Sequence, residues 1–202
     1  MSPEARRRDV NRLSLQWHGP FTWTRQEGTR VFDSPVVIEP GVYVFTVPHG
    51  AAFLAYYVGQ TGQSFRKRLE AHTKEYLSGV YRTYAPALFV AGQKELVWGG
   101  LWKKDRVHLW PDFLERYVEL ALTIYRFLSC FRLFLAPIKA DRRVRERVEA
   151  AVAEALRNQN ERTRAFFDDV VKYRPRTADE EPFILMNESG HVRLGLAARM
   201  EA

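Results

Sequence analysis

"GVYVFTVPHGAAFLAYYVGQTG", residues 41 to 62, decides how this chain is read. Two apolar runs rich in β-branched and aromatic residues, 41–47 and 53–59, flank the turn-forming "PHGA" at 48–51. That pattern predicts two strands joined as a hairpin. Each strand carries a tyrosine two residues from a glycine, as Gly41-Val42-Tyr43 and as Tyr57-Val58-Gly59. The two glycines allow close packing or a bend at a sheet edge. The two tyrosines are expected on one sheet face, with their hydroxyls aimed at one point.

Downstream, "QTGQS" (60–64) breaks the strand pattern, and "FRKRLEAHTKEYL" (65–77) takes a helical period. Phe65, Leu69 and Tyr76 form its buried face, while Arg68 and His72, four apart, share another. From 78 to 110 the signal is weak, with two glycine-bearing turns and three of the five tryptophans. Residues 111–129 are apolar at 113, 114, 117, 118, 121, 124, 125 and 128, which predicts one well-buried helix. "FRLFLAPI" (131–138) reads as a third strand. Residues 140–160 give the clearest helix, striped by Val144, Val148, Val152 and Leu156.

Upstream, 3–13 reads as a short charged helix, "HGPFTW" (18–23) as a turn into an extended piece, and "SPVVIEP" (34–40) as proline-punctuated. The last segment holds acidic "TADEE", apolar "PFILM" and a turn at "NESGH". The expected fold is α+β, sandwich-like: a small central three-stranded antiparallel sheet flanked by helices, with a helical insertion at 78–130 before strand three. The expected organisation is an N-terminal extension (1–35), a main domain (36–165) and a C-terminal tail packed on it (166–202).

Composition narrows the function classes. The chain is 46% hydrophobic and 27% charged, which marks it as globular rather than disordered. Its net charge of +7 comes mostly from arginine, suited to bidentate contacts with phosphate. The lone Cys130 excludes an intramolecular disulfide and any cysteine-based zinc site. The basic N-terminus has no apolar stretch behind it, so no signal peptide is expected. The most apolar segment, 113–137, carries Glu115, Arg116, Glu119, Arg126 and Arg132, too many charges for a membrane span. A cytoplasmic protein is expected.

The order of these features resembles the GIY-YIG nuclease family. The resemblance rests on the two tripeptides, on Arg68 and His72 at helical spacing, and on a Glu-bearing helix after strand three. It covers roughly residues 36–160. Valine in both tripeptides is a mild variation at a position where the family has an aliphatic residue. The resemblance implies a metal-dependent endonuclease acting on DNA, with RNA not excluded, and one Mg²⁺ or Mn²⁺ ion. Tyr43 and Tyr57 match the paired tyrosines, Arg68 the catalytic arginine, and His72 the position one turn later. Glu149 matches the single acidic metal ligand, with Glu146 and Glu154 as rivals.

Gly59, Gln60, Arg66, Lys67 and Asn160 are weaker nucleic-acid-binding candidates; the proline expected near Asn160 is absent. Tyr43 is assigned as general base, because the first tyrosine is favoured by the resemblance and His72 could back it. A phenol ionises near pH 10 and can act as a base only beside a cation that lowers that value. Arg68 is such a cation.

Two other readings compete. One is a catalytically inactive nucleic-acid-binding module on the same fold. The other is a basic protein that docks a partner through the insertion, where Trp98, Trp102 and Trp110 lie.

Overall fold

The computed structural model describes residues 12–24, 28–168 and 170–202. The element order is β1 (Arg12–Gln16), β2 (His18–Thr22), two short 3-10 turns, β3 (Gly41–His49), β4 (Ala52–Thr61), α1 (Phe65–Leu77), β5 (Thr83–Tyr84), α2 (Pro86–Val90) and β6 (Leu96–Trp98). After a third 3-10 turn come α3 (Trp110–Glu115), α4 (Tyr117–Cys130), β7 (Arg132–Pro137), α5 (Arg142–Arg157), α6 (Glu161–Phe166), β8 (Ile184–Ser189), α7 (His191–Leu194) and β9 (Arg199–Glu201).

The predicted hairpin, the helix at 65–77, the third strand and the helix at 140–160 are all present. The central sheet has four strands, in the order β2-β7-β3-β4, all antiparallel. Its fourth member, β2, lies in the segment expected to be an extension. Its Gly19 and Pro20 disguise it in sequence, yet it sits at the sheet edge, where a proline costs no ladder bond. A second, three-stranded sheet runs β1-β8-β9, with β1 parallel to β8. The short helix expected at 3–13 falls mostly outside the described residues, and its last two, Arg12 and Leu13, open β1 instead.

Two apolar layers sandwich the central sheet. On one face, Tyr43, Phe45 and Tyr56 pack with Phe65 and Leu69 of α1, Phe89 of α2, and Ile124 and Phe127 of α4. On the other, Val42, Val44 and Val58 pack with Val148, Val152 and Leu156 of α5, with Leu15 and Leu185 from the second sheet, and with Phe183 just before β8. Arg147 ties α5 to the tail by donating to the carbonyls of Glu181 and Ala202.

The insertion therefore supplies much of one layer. Its predicted single helix is two, broken at Arg116. Phe113, Leu120, Ile124, Phe127 and Leu128 are buried, while Leu114, Tyr117, Val118 and Tyr125 of the expected stripe are exposed. A helix apolar on most sides does not announce which side faces in. Among the described residues no helix is long and apolar enough to cross a membrane.

The glycine–tyrosine pattern now has a physical cause. In the β3–β4 register Tyr43 faces Gly59, and a Cβ on Gly59 would collide with the Tyr43 ring. A Cβ on Gly41 would run into the Ala136 carbonyl and the Phe65 ring. Gly59→Ala is therefore expected to lower stability by about 1–3 kcal/mol in denaturant titration, the usual cost of overpacking.

Candidate functional site

Three elements meet at the far end of the β3–β4 hairpin. The first is the hairpin. Phe45 pairs with Tyr57 but Thr46 pairs with Ala55, so Tyr56 is an extra residue in a bulge. The bulge turns Tyr56 and Tyr57 to the same side, toward α1, as bulges near functional sites commonly do.

The second is α1, started by Ser64, whose hydroxyl accepts the Lys67 N–H at 3.3 Å. Its buried stripe is Phe65, Leu69, His72 and Tyr76. His72 belongs to that buried face, and Arg68 stands at its border.

These two elements create a hydrogen-bonded chain. The Arg68 Nε–H donates to the Tyr43 hydroxyl at 3.1 Å, and the same hydroxyl lies 2.8 Å from His72 Nε2. Arg68 donates on one side, and the Tyr43 hydroxyl shares its second hydrogen bond with His72, in a direction set by the histidine tautomer. The Arg68 guanidinium also faces the hydroxyls of Tyr57 and Tyr81, and its charge eases the ionisation of each. Burial works against it and raises the phenols of Tyr43 and Tyr57 above their ordinary value.

Burial, helped by the charge of Arg68, lowers His72 to about 3. His72 thus stays neutral in the fold while an unfolded chain protonates it below about pH 6.5. Stability is then lost as pH falls from 6.5 toward 3, by about 1.4 kcal/mol per unit from this group. Glu149, raised to about 7 by burial, pulls the opposite way between pH 4.5 and 7. The difference between wild type and His72→Gln isolates the histidine. The wild type is expected to lose more of its melting temperature on acidification, and parallel curves would refute a neutral buried His72.

The third element is α5, which crosses the edge strand β4 near Gln60. Glu149 lies there near the Gln60 backbone N–H, which favours its charged form, and within electrostatic range of both Arg68 and Tyr57. The two rival acids are placed differently. Glu146 is buried and held by Arg142, Arg143 and Arg174 at 2.8, 3.8 and 3.6 Å. Glu154 is exposed, on the tail side of α5.

The weaker candidates scatter. The Gln60 side chain accepts from Arg145 Nε, Arg66 donates to the Phe32 carbonyl, and Lys67 is exposed. Asn160 caps α6 by accepting from the Thr163 backbone N–H at 2.9 Å, which is a structural role. The tail covers the β4 edge, where the Asp168 N–H donates to Tyr56 and the Tyr173 hydroxyl to Val58.

No family model, curated protein or solved structure matches the chain.

The site opens into a cleft of about 470 Å3. Tyr57, Arg68 and His72 line its floor, whereas Tyr43 is fully buried and does not line it. Tyr81 and Trp102 form an aromatic wall, with rings 6.0 Å apart. Arg82, Lys103, Arg106 and Lys172 add positive charge against the single acid Asp168. Tyr81 and Lys172 escaped the sequence reading, and Trp102 entered it only as part of a partner-docking insertion. The sequence signal that places Tyr81 and Trp102 at a basic cleft is aromatic–basic interleaving, Tyr81-Arg82 and Trp102-Lys103, inside the segment of weakest periodicity.

Among the described residues no cluster of three or more His, Cys, Asp or Glu side chains is arranged to hold an ion. A lone half-buried carboxylate beside a backbone N–H still fits a hard divalent ion that keeps most of its waters.

Proposed function

We propose that the chain is a metal-dependent phosphodiesterase that cuts DNA, using the site where α1, the β3–β4 hairpin and α5 meet. The observation that carries this reading is the convergence of Arg68, Tyr57 and His72 on a basic cleft, with Tyr43 sealed behind them and Glu149 within electrostatic range of Arg68 and Tyr57. Phosphodiester hydrolysis needs a base for water, charge neutralisation and help for the leaving oxygen. Arg68 supplies fixed positive charge and N–H donors to a phosphate oxygen. One Mg²⁺ or Mn²⁺ ion on Glu149, when bound, would add charge neutralisation and polarise the phosphate. Tyr57, on the cleft floor, is placed to meet the attacking water. Tyr43, sealed behind it, fixes Arg68 and shares a hydrogen bond with His72.

Arg68→Lys keeps the charge and loses the planar fork. Cleavage of plasmid DNA is expected to fall ~100-fold or more with little change in melting temperature. An unfolded variant would make Arg68 a structural residue.

A second reading, a binding module without turnover, draws on the complete burial of Tyr43. Plasmid cleavage that requires Mg²⁺ separates the two. Binding without cleavage would favour the module.

A further inference from the structure

Trp102 is 66% exposed, although Trp17, Trp23 and Trp98 are all buried. It stands on the insertion, above the cleft whose floor holds Tyr57 and Arg68, with Tyr81 tilted at 44° beside it. An exposed indole beside cations is poorly explained by packing. It matches the means by which proteins hold unstacked bases, an aromatic face for the base and positive charge for the backbone.

The cleft, about 470 Å3, has room for one nucleotide and not for a stacked base pair with its neighbours. A phosphate held at Arg68 would carry its neighbouring sugar and base toward the insertion wall. Lys103 and Arg106 lie beside Trp102, where the next phosphates would run. A base that remains paired and stacked cannot enter.

We propose that the cleft takes one unstacked nucleotide of the polynucleotide substrate, its base stacked on Trp102 and its phosphate on Arg68. This rests on the phosphodiesterase reading and gives it a substrate class: single-stranded DNA, or duplex DNA that can extrude a nucleotide. The insertion then acts as a structure-selecting wall, by shape and stacking rather than by reading base edges.

The test uses the whole chain without divalent metal, so that nothing is cut. A 12-nucleotide oligo(dT) is expected to quench tryptophan fluorescence saturably. The quench should largely disappear in Trp102→Phe. Trp102→Ala is expected to weaken binding of the same oligonucleotide, read by anisotropy, roughly tenfold. Trp110→Ala, an exposed tryptophan outside the cleft, serves as the control and should change neither.

A fully paired duplex of equal length should bind more weakly than the single strand. Equal affinity for both, or a quench that survives in Trp102→Phe, overturns the proposal. Cleavage with Mg²⁺ is scored separately. A wild type that cuts duplex DNA as fast as Trp102→Ala does keeps the phosphodiesterase and loses the stacking cleft. A wild type that binds through Trp102 and never cuts keeps the cleft and loses the hydrolase.

Discussion

Glu149→Gln is expected to lower magnesium-dependent cleavage ~10³-fold or more while DNA binding stays unchanged. The substitution keeps the shape of the side chain and an oxygen near the Gln60 N–H. It removes a negative charge that lies within electrostatic range of Arg68 and Tyr57. Charge stabilisation by a bound ion is worth several kcal/mol, and each 1.36 kcal/mol is tenfold in rate. Calorimetric titration with Mn²⁺ gives a readout independent of activity, and the variant should lose that heat. The rivals should behave differently. Glu146→Gln leaves Arg142, Arg143 and Arg174 without their shared buried partner, so it should cost stability first. Glu154→Gln, exposed on the tail side, should be silent. An active Glu149→Gln beside an inactive Glu154→Gln would show that the acid has been placed one turn too early.

Tyr57→Phe is expected to cost ~10²–10⁴ in cleavage rate, the range for losing a positioned general base. Both tyrosines lose only a hydroxyl when changed to phenylalanine, so packing against Phe45 is preserved in each. The chemistry they lose is different. Tyr57 lines the cleft, half-buried, where water reaches it. Tyr43 has no exposed surface, and its hydroxyl is already occupied by Arg68 and His72. The resemblance gives the base role to the first tyrosine; burial raises both phenols, but less at Tyr57, where the charge of Arg68 is the main opposing influence, so Tyr57 is the better suited of the two. Tyr43→Phe should leave the buried His72 nitrogen unpaired and show its effect in stability, with a smaller loss of rate. A larger rate loss for Tyr43→Phe at unchanged stability would restore the first tyrosine as base.

The part of the site legible in the sequence is the part set by short-range periodicity. Strand alternation puts Tyr43 and Tyr57 on one sheet face, and helical spacing puts Arg68 and His72 one turn apart. The bulge at Tyr56 is invisible, because nothing in "FLAYYVG" distinguishes an even strand from one with an extra residue. The fourth strand hides behind Gly19 and Pro20. The exposure of Val118 and Tyr125 could not be read because α4 is apolar on most sides. Trp102 and Tyr81 sit in irregular chain, where position depends on distant packing such as the Trp98 indole donating to the Gly79 carbonyl at 2.7 Å.

The parallel pairing of β1 with β8 joins segments from opposite ends of the described chain. Trp17 donates its indole N–H to Asn187, 170 positions later. On a ribosome that adds ~5–20 residues each second, the second partner follows the first by on the order of ten seconds. Through that interval the hairpin, α1, β7 and α5 can assemble by nearer contacts. The outer side of α5 stays open to water until Phe183 and Leu185 arrive. Closing that sheet is among the longest-range events of the described residues, and contacts of such separation are the slowest to form. A nascent chain of this protein therefore carries an apolar, chaperone-accessible flank from the emergence of α5 until the segment from Phe183 onward leaves the exit tunnel.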